Sequence, residues 1–486
     1  MSKRSVSEFT EDFYAFESQI DVFSTEVQGY PFWEFVRYEV YYFLHDRLAD
    51  VDQAAKEPTK RKIGKFLKEL AILPILWAKY AVQKRRYDLI FINVDRDYLI
   101  EGEFRNVYTY HFVEECAKTF SVLVMDPSPL TTPVSGRYPC DVLKSRMFTA
   151  IDKIHEKRYR LSSEESDAIR ALADRLGDFF ALPDSMMSAL GQIIKQRYVY
   201  NVIQYRRFRS IFSKISTKCI LNNNGNAQGI YYAAKQNQIP AVDIQHCLIS
   251  NLNLLYWYPK HTLKRPSTSA VVAPSHVFTW GEFWHPHIQL PSTLVSIGYP
   301  YFEFQKRKQL QKTVGRDKTI IVLSGPFSRT KFSEIALSLA QRLSDHRIIY
   351  KLHPEEYGTW QTVYSKAIQE TANIQFIDSN SQSLYELFSV SAYQIGSSST
   401  ALVEGMAMGL KTFVVRHGWF EEMERCFKGH VSFVDTGADI ASAISNPENG
   451  SGGPSAMVFE PNAQSNAVKA LKTILRDQSP FGSMSR

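Results

Sequence analysis

The sequence predicts an α/β protein of two facing Rossmann-like domains, with an N-terminal helical appendage and a helical insert in the first domain. Three observations carry this. Short, nearly continuous apolar runs alternate with helix-length stretches from Leu89 onward, the pattern of parallel strands covered on both faces. The alternation comes in two series, separated by the polar stretch Gln305 to Lys318. Phe9 to Leu48 and Lys144 to Lys214 break the pattern with helical spacing and no strands. The expected divisions are 1–87, 88–304 with its insert at 144–214, and 318–476.

The 486 residues are 44% apolar, enough for two or three cores, and carry a net charge of +7. Five cysteines, an odd number with no CxxC pair, argue against a disulfide framework and a zinc site. Met1 to Ser5 leads into an acidic, aromatic stretch rather than an apolar signal core, and no apolar run reaches the roughly eighteen residues that span a bilayer. The expected compartment is a reducing cytoplasm.

In chain order, Phe32, Val36, Val40, Phe43, Leu44 and Leu48 recur at helical spacing, and read as a helix packed on the main body. Lys60 to Arg86 holds nine basic residues and one acid, Glu69, around the apolar centre Leu70 to Ala78, with Pro74 inside it. Such a helix suits the anionic inner face of the cytoplasmic membrane, with Trp77 and Tyr80 at headgroup level; it equally suits a core helix with solvated ends. Leu89 to Val94 and Ser121 to Met125 are strands flanking a helix at His111 to Thr119. Within the insert, Lys195 to Lys214 is a basic, aromatic helix that suits an acidic glycan groove or a solvated face. No nucleic-acid motif accompanies it, and nucleic acid is not an expected partner.

The sheet resumes at Lys218 to Leu221, followed by Asn222-Asn223-Asn224-Gly225-Asn226, a tight loop whose amides also suit sugar hydroxyls; Asn224 is the candidate acceptor contact. Pro240 to Ile244 is a strand ended by Gln245 and His246, which places His246 at the carboxyl edge. The second series runs Thr319 to Leu323, Arg347 to Lys351, Ile374 to Ile377, Tyr393 to Ile395 and Lys411 to Val415, with a final helix from Ala463 to Arg476 crossing back towards the first domain.

Two stretches of the second series carry the chemistry. His353-Pro354 ends one strand, since proline cannot continue its ladder. Ser397-Ser398-Ser399-Thr400 lies between another strand and a helix from about Ala401 to Met408, where free backbone N–H groups and hydroxyls favour an anion; the bare alternative is an N-cap. Both fall at strand carboxyl ends, where an open sheet binds ligands, and Glu404 follows one turn into the helix, within reach of a ribose hydroxyl. Gly325 and Arg329, after the first strand of this series, allow close approach and pairing to a phosphate.

His353-Pro354, the serine run and Glu404 together resemble the donor half of GT-B glycosyltransferases of bacterial surface polysaccharide (capsule and lipopolysaccharide) biosynthesis, notably the sialyltransferase-like and Kdo-transferase-like groups. The resemblance covers about Leu89 to Ile474 in layout. It implies that His353, Pro354, Ser397, Ser398, Ser399, Thr400 and Glu404 hold the nucleotide and its phosphate. Gln245-His246 before Tyr256-Trp257-Tyr258 resembles a Gln-His-Gly turn of capsule enzymes, with Cys247 in place of glycine. Glu101-Gly102 resembles in part an acidic-Gly motif of bacterial sialyltransferases, with Ile100 where an acid would precede.

The expected activity is transfer of a sugar from a nucleotide-sugar donor to a growing surface polysaccharide or lipid-linked glycan. Departure of the nucleotide creates negative charge, which His353, the serines and Arg329 can meet without a metal or other cofactor. The Asp-x-Asp at Asp95-Arg96-Asp97 lies in the other half. Inversion needs a base from that half; Asp97 and His246 lead, with Glu103, Asp95 and Glu101 behind them. Gln245 is a further acceptor contact. Three other readings share the fold: a CDP-alditol-type phosphotransferase, a catalytically silent glycan-binding subunit, and a UDP-sugar epimerase, whose acidic pair the sequence does not locate.

Overall fold

The computed structural model describes residues 4–49, 63–100, 102–133, 136–264, 271–310, 318–325, 328–446 and 458–477. The chain opens with α1 (Val6–Gln19), the short strands β1 (Glu26–Val27) and β2 (Tyr30–Pro31), and α2 (Phe32–Leu48). α3 (Ile63–Ala81) keeps Pro74 inside it, and Lys60 to Lys62 lie outside the described residues. No described helix is long and apolar enough to cross a membrane.

The first sheet is built from β3 (Arg86–Ile92), β6 (Val122–Asp126), β7 (Asp141–Lys144), β8 (Ser216–Asn222), β9 (Ala241–Ile244), β10 (His276–Thr279) and β11 (Thr293–Ser296). A hairpin, β4 (Asp97–Ile100) and β5 (Glu103–Asn106), stands at its edge, followed by α4 (Tyr110–Cys116). The insert supplies α5 (Arg146–Arg158), α6 (Ser163–Phe180) and α7 (Asp184–Lys214); α8 (Gln228–Gln236) and α9 (Lys260–Lys264) follow. α10 (Pro300–Leu310) leads into the second half.

The second sheet holds β12 (Thr319–Leu323), β13 (Arg347–Lys351), β14 (Ile374–Ile377), β15 (Tyr393–Gly396), β16 (Lys411–Val415) and β17 (Ser432–Val434). Between them run α11 (Arg329–Arg342), α12 (Trp360–Val363), α13 (Lys366–Gln369), α14 (Leu384–Ser389), α15 (Thr400–Ala407) and α16 (Phe420–Phe427). α17 (Gly437–Ser445) and α18 (Ala463–Asp477) close the chain.

Spatial order is β11-β10-β9-β8-β3-β6-β7 in one sheet and β14-β13-β12-β15-β16-β17 in the other, with every neighbouring pair parallel. Each sheet starts in its middle, builds one way, then reverses past its first strand. The reversals, between β3 and β8 and between β12 and β15, are where loops splay apart and leave a crevice at the carboxyl edge. These are the two α/β domains that the sequence predicts.

Several elements differ from expectation. Lys144 ends a strand, β7, rather than opening the insert, because its ammonium is drawn in to Asp126 at 3.5 Å. The stretch from Gln305, expected as linker, is helical to Leu310, and residues 311–317 lie outside the described residues. Tyr80, expected at a membrane surface, is buried, and Trp77 packs edge-on to Phe148 at 5.6 Å; their rings fill a gap between α3 and the insert. In the basic helix, Tyr198 and Phe208 turn inward to the core, while Arg206 stays exposed.

α1 and α2 share one core with α6 and α7, in which Phe9, Phe13, Phe16, Trp33 and Tyr41 are fully buried. This unit also grips the second half. The carboxylate of Glu421 on α16 accepts from the N–H groups of Val6 (3.1 Å) and Ser7 (2.8 Å), the orphan donors at the start of α1. His45 on α2 stacks on Trp419 at 4.2 Å. α18 returns to the first sheet, burying Ala467, Leu471 and Ile474 with Leu89, Val124 and Phe278. Gly298 permits that return: its φ is +94°, and an added Cβ would lie 2.2 Å from the carbonyl oxygen of Glu460.

Candidate functional site

The second sheet's reversal gathers the donor motifs. β15 ends at Gly396, and Ser399 caps α15, its hydroxyl accepting from Ala401 N–H at 3.2 Å. Ser397 donates to the carbonyl of His417, and Ser398 donates to Glu422 at 3.0 Å. Thr400 is the first residue of the helix. α15 lies tight on β15 because Gly405 has no side chain; a Cβ there would lie 2.1 Å from Gln394 Oε1. Gly325 flanks the other strand of the reversal and faces open space, while Pro326 and Phe327 lie outside the described residues.

β13 ends in the His353-Pro354 loop, where His353 caps a one-turn helix. Its Nδ1 accepts from Glu355 N–H at 3.3 Å, so the imidazole proton sits on Nε2, which is left as an exposed donor. Glu356 holds the loop from beneath. It accepts from His353 N–H at 3.0 Å, from Tyr364 at 2.7 Å and from Ser324. Arg329 reaches the same carboxylate at 3.5 Å and is one-third exposed, so its charge is shared with Glu356 before any ligand arrives. Pro354 is exposed and starts the turn.

Opposite stands the edge of the first sheet. Nδ1 of His246 lies 3.1 Å from the carbonyl of Ile244, which can only accept. Nδ1 therefore carries a proton, and Nε2 offers the lone pair of the neutral ring. Gln245 is buried, with Oε1 accepting from Trp280 N–H (2.8 Å) and Nε2 donating to Cys247 (3.2 Å). Its amide ties β9 to β10 rather than facing an acceptor sugar. Asn224 is half-buried; its side chain accepts from Asn226 N–H at 3.2 Å and its carbonyl accepts from Asn222 at 3.0 Å, the bonds of a closed turn.

The other base candidates are placed differently. Asp97 is ion-paired to Arg137, which also reaches Asp126 at 3.0 Å; burial pushes Asp97 up although Arg137 opposes it. Glu103 is 46% exposed on the hairpin and paired with Arg105 at 3.3 Å. Asp95 is exposed, and Glu101 lies outside the described residues.

Two buried carboxyls near the start of α15 and on α16 stand out electrostatically. Burial raises Glu404 to about 7, while a hydrogen bond from Tyr385 opposes the shift. Burial likewise raises Glu422 to about 7, against the Ser398 bond. The sequence signals Glu404 but not Glu422, which lies in an ordinary acidic helical stretch. Tyr108 connects the halves: burial first and the nearby Glu404 second raise its phenol, and its ring lies 6.1 Å from that of His246. Cys247, beside His246, is raised by burial, then by Asp243 and Glu422. His246, Tyr108, Glu404, Glu422 and Ser398 are thus linked by close approaches between the two halves.

No protein-family model matches this sequence, and no curated protein matches it. Similar solved structures include the UDP-GlcNAc 2-epimerase from Neisseria meningitidis bound to UDP-GlcNAc, at TM-score 0.47 and 13% identity over 80% of this chain and 100% of that one. The glycotransferase of kitacinnamycin gives 0.45 and 11% over 81% and 96%. The wall teichoic acid polymerase TagF gives 0.42 and 11% over 86% and 99%. Likeness at this level carries nothing about chemistry, and the architecture stands on the two sheets themselves.

Proposed function

We propose that this chain is a glycosyltransferase that holds a nucleotide-sugar donor against the second sheet and a glycan or lipid-linked glycan acceptor against the first, as in surface-polysaccharide assembly. The observation that supports it most is the opposite polarity of two histidines. His353 presents a proton on Nε2 at the carboxyl end of β13, the same edge of the sheet as the serine-lined start of α15 two strands away, as a leaving phosphate needs. His246 presents a lone pair on Nε2 from the other half, as an acceptor hydroxyl needs for its proton. In this reading Glu404, one turn inside α15, exchanges its bond from Tyr385 for a ribose hydroxyl. The charge on the departing nucleotide is met by these donors, so the reading calls for no metal.

Ser398 serves this reading through its hydroxyl, which can turn from Glu422 to a phosphate when Glu422 is protonated. A second reading draws on Glu404 and Glu422 together. Two buried carboxyls, each raised to about 7, fit the acidic pair that an epimerase acting on a UDP-sugar requires. Product analysis separates the two: transfer joins a sugar to a second glycan, and epimerisation returns an isomeric nucleotide sugar. Transfer of phosphate with an alditol would show as a phosphodiester product.

The first test is thermal stabilisation by CMP, CDP, UDP, GDP and ADP, in the wild type and in His353→Ala. A ligand at a hundred times its dissociation constant adds about 2.7 kcal/mol, readily seen in Tm. One nucleotide should stabilise selectively, and the variant should lose about 1–3 kcal/mol of that binding. No shift with any nucleotide would remove the donor-site assignment.

A further inference from the structure

Far from the crevice, α3, α5 and α7 enclose a cavity of about 720 Å³. That is within the range of about 300–1,000 Å³ for small-molecule sites. Its wall is apolar, formed by Trp77, Phe148, Ile151 and Ile203. Its rim is cationic, with Arg158, Arg160, Arg206 and Lys214. The one acid on the lining, Asp152, is already paired to Arg207.

The rim charges are weakly engaged. Arg158 and Arg160 are exposed and make no hydrogen bond or ion pair among the described residues. Arg206 gives its Nε to Tyr30 at 3.2 Å, and Lys214 sits 5.9 Å above the Tyr80 ring. Like charges around one opening raise a positive potential that a dianion relieves, and guanidinium groups bind phosphate oxygens in pairs. On α5 the apolar character continues outward, where Ile154 is 49% exposed. A free phosphate would use the rim and leave the wall unused. A neutral lipid would use the wall and leave the rim uncompensated.

We infer that this cavity binds one phosphate-headed amphiphile, its phosphate at Arg158, Arg160, Arg206 and Lys214 and its hydrocarbon chain against Trp77, Phe148 and Ile203. The basic, apolar-centred α3 is then one wall of a site for a single lipid, and not only a surface that lies on a bilayer. The assignment is independent of the chemistry in the crevice, and its test reads lipid binding alone.

The full chain is titrated with dihexanoyl phosphatidic acid below its micelle concentration, with dihexanoylglycerol, and with inorganic phosphate, following tryptophan emission and Tm. The phosphatidic acid should saturate, with an emission change that Trp77→Phe abolishes. Arg158→Ala/Arg160→Ala, at two exposed positions, should weaken it at least tenfold while leaving the Tm of the free protein unchanged. Lys84→Ala/Arg85→Ala, equally basic but off the lining, should bind as the wild type does. Equal weakening in both double variants would reduce the effect to diffuse surface attraction and overturn the site. Inorganic phosphate binding as tightly as the amphiphile would overturn the role of the apolar wall, and absence of saturation would overturn the whole assignment.

Discussion

At the scale of the residue, Glu404 and the two histidines show how environment decides chemistry. A histidine's reactivity depends on which nitrogen keeps the proton, and here one backbone bond each sets it: Glu355 N–H for His353 and the carbonyl of Ile244 for His246. Neither bond is legible in the sequence, which gives only that both histidines follow strands. Glu404 carries a pH signature. Its carboxyl titrates at about 7 when folded, above its ordinary 4.5, because burial disfavours the charge. The folded state therefore keeps a proton that the unfolded chain releases, and this contribution to stability, full below the ordinary value, is lost as pH rises through 7. Glu404→Gln keeps an oxygen to accept from Tyr385 and removes the titration. Urea unfolding should show the wild type losing stability relative to this variant between about pH 4.5 and 7, with a difference of order 3 kcal/mol. Parallel pH curves for the two proteins would show that Glu404 is charged in the fold.

At the scale of the element, the strands were legible because parallel strands buried on both faces leave unbroken apolar runs, as Leu89 to Ile92 and Thr319 to Leu323 do. β7 was not, since Asp141-Val142-Leu143-Lys144 reads as polar and its strand form rests on parallel pairing with β6, beside which Lys144 is drawn in to Asp126. The hairpin β4–β5 escaped for a related reason: its register is held by Arg137, whose Nε donates to the carbonyl of Phe104 at 2.8 Å, from about thirty residues away. The donor helix α15 illustrates the opposite case, where one small residue sets a packing distance. Gln394, buried under it, donates to Leu402 and Thr412 at 2.7 Å each, and Gly405 is what lets the helix come that close. Gly405→Ala places a methyl against that amide, so α15 must lift or Gln394 must abandon its bonds. A loss of about 1–3 kcal/mol in urea unfolding, with weaker nucleotide binding, is the expected result. Full stability in this variant would mean that the helix position is not fixed by Gly405.

At the scale of the whole molecule, the sequence leads one to expect an N-terminal appendage packed on the main body and a last helix crossing back to the first domain. The particular contacts that join the parts are ones no local period announces. Val6 and Ser7 meet Glu421 more than four hundred residues away, and the Cys426 thiol donates to the carbonyl of Ile249 at 3.1 Å. Beneath these lies a shared apolar core in which Ile249, Trp280, Trp284 and Phe302 of the first half pack with Leu402, Val414, Met423 and Phe427 of the second. Phe283 stacks on Phe427 at 4.9 Å, and Trp284 donates to the carbonyl of Val458 at 3.1 Å. Linked domains with small, polar contacts move and melt separately; a large hydrophobic interface opposes both. Unfolding either half alone would expose these side chains at about 25 cal/mol for each Å² of apolar surface, so the halves should lose structure together. Calorimetry of the full chain should therefore give one cooperative peak, and the stabilising nucleotide should move all of it. Trp419→Ala, which removes the stacking partner of His45, should lower that peak without splitting it, because the core below remains. Two resolved peaks in the wild type, with nucleotide shifting only one, would show that the crevice opens by independent motion of two separately stable halves.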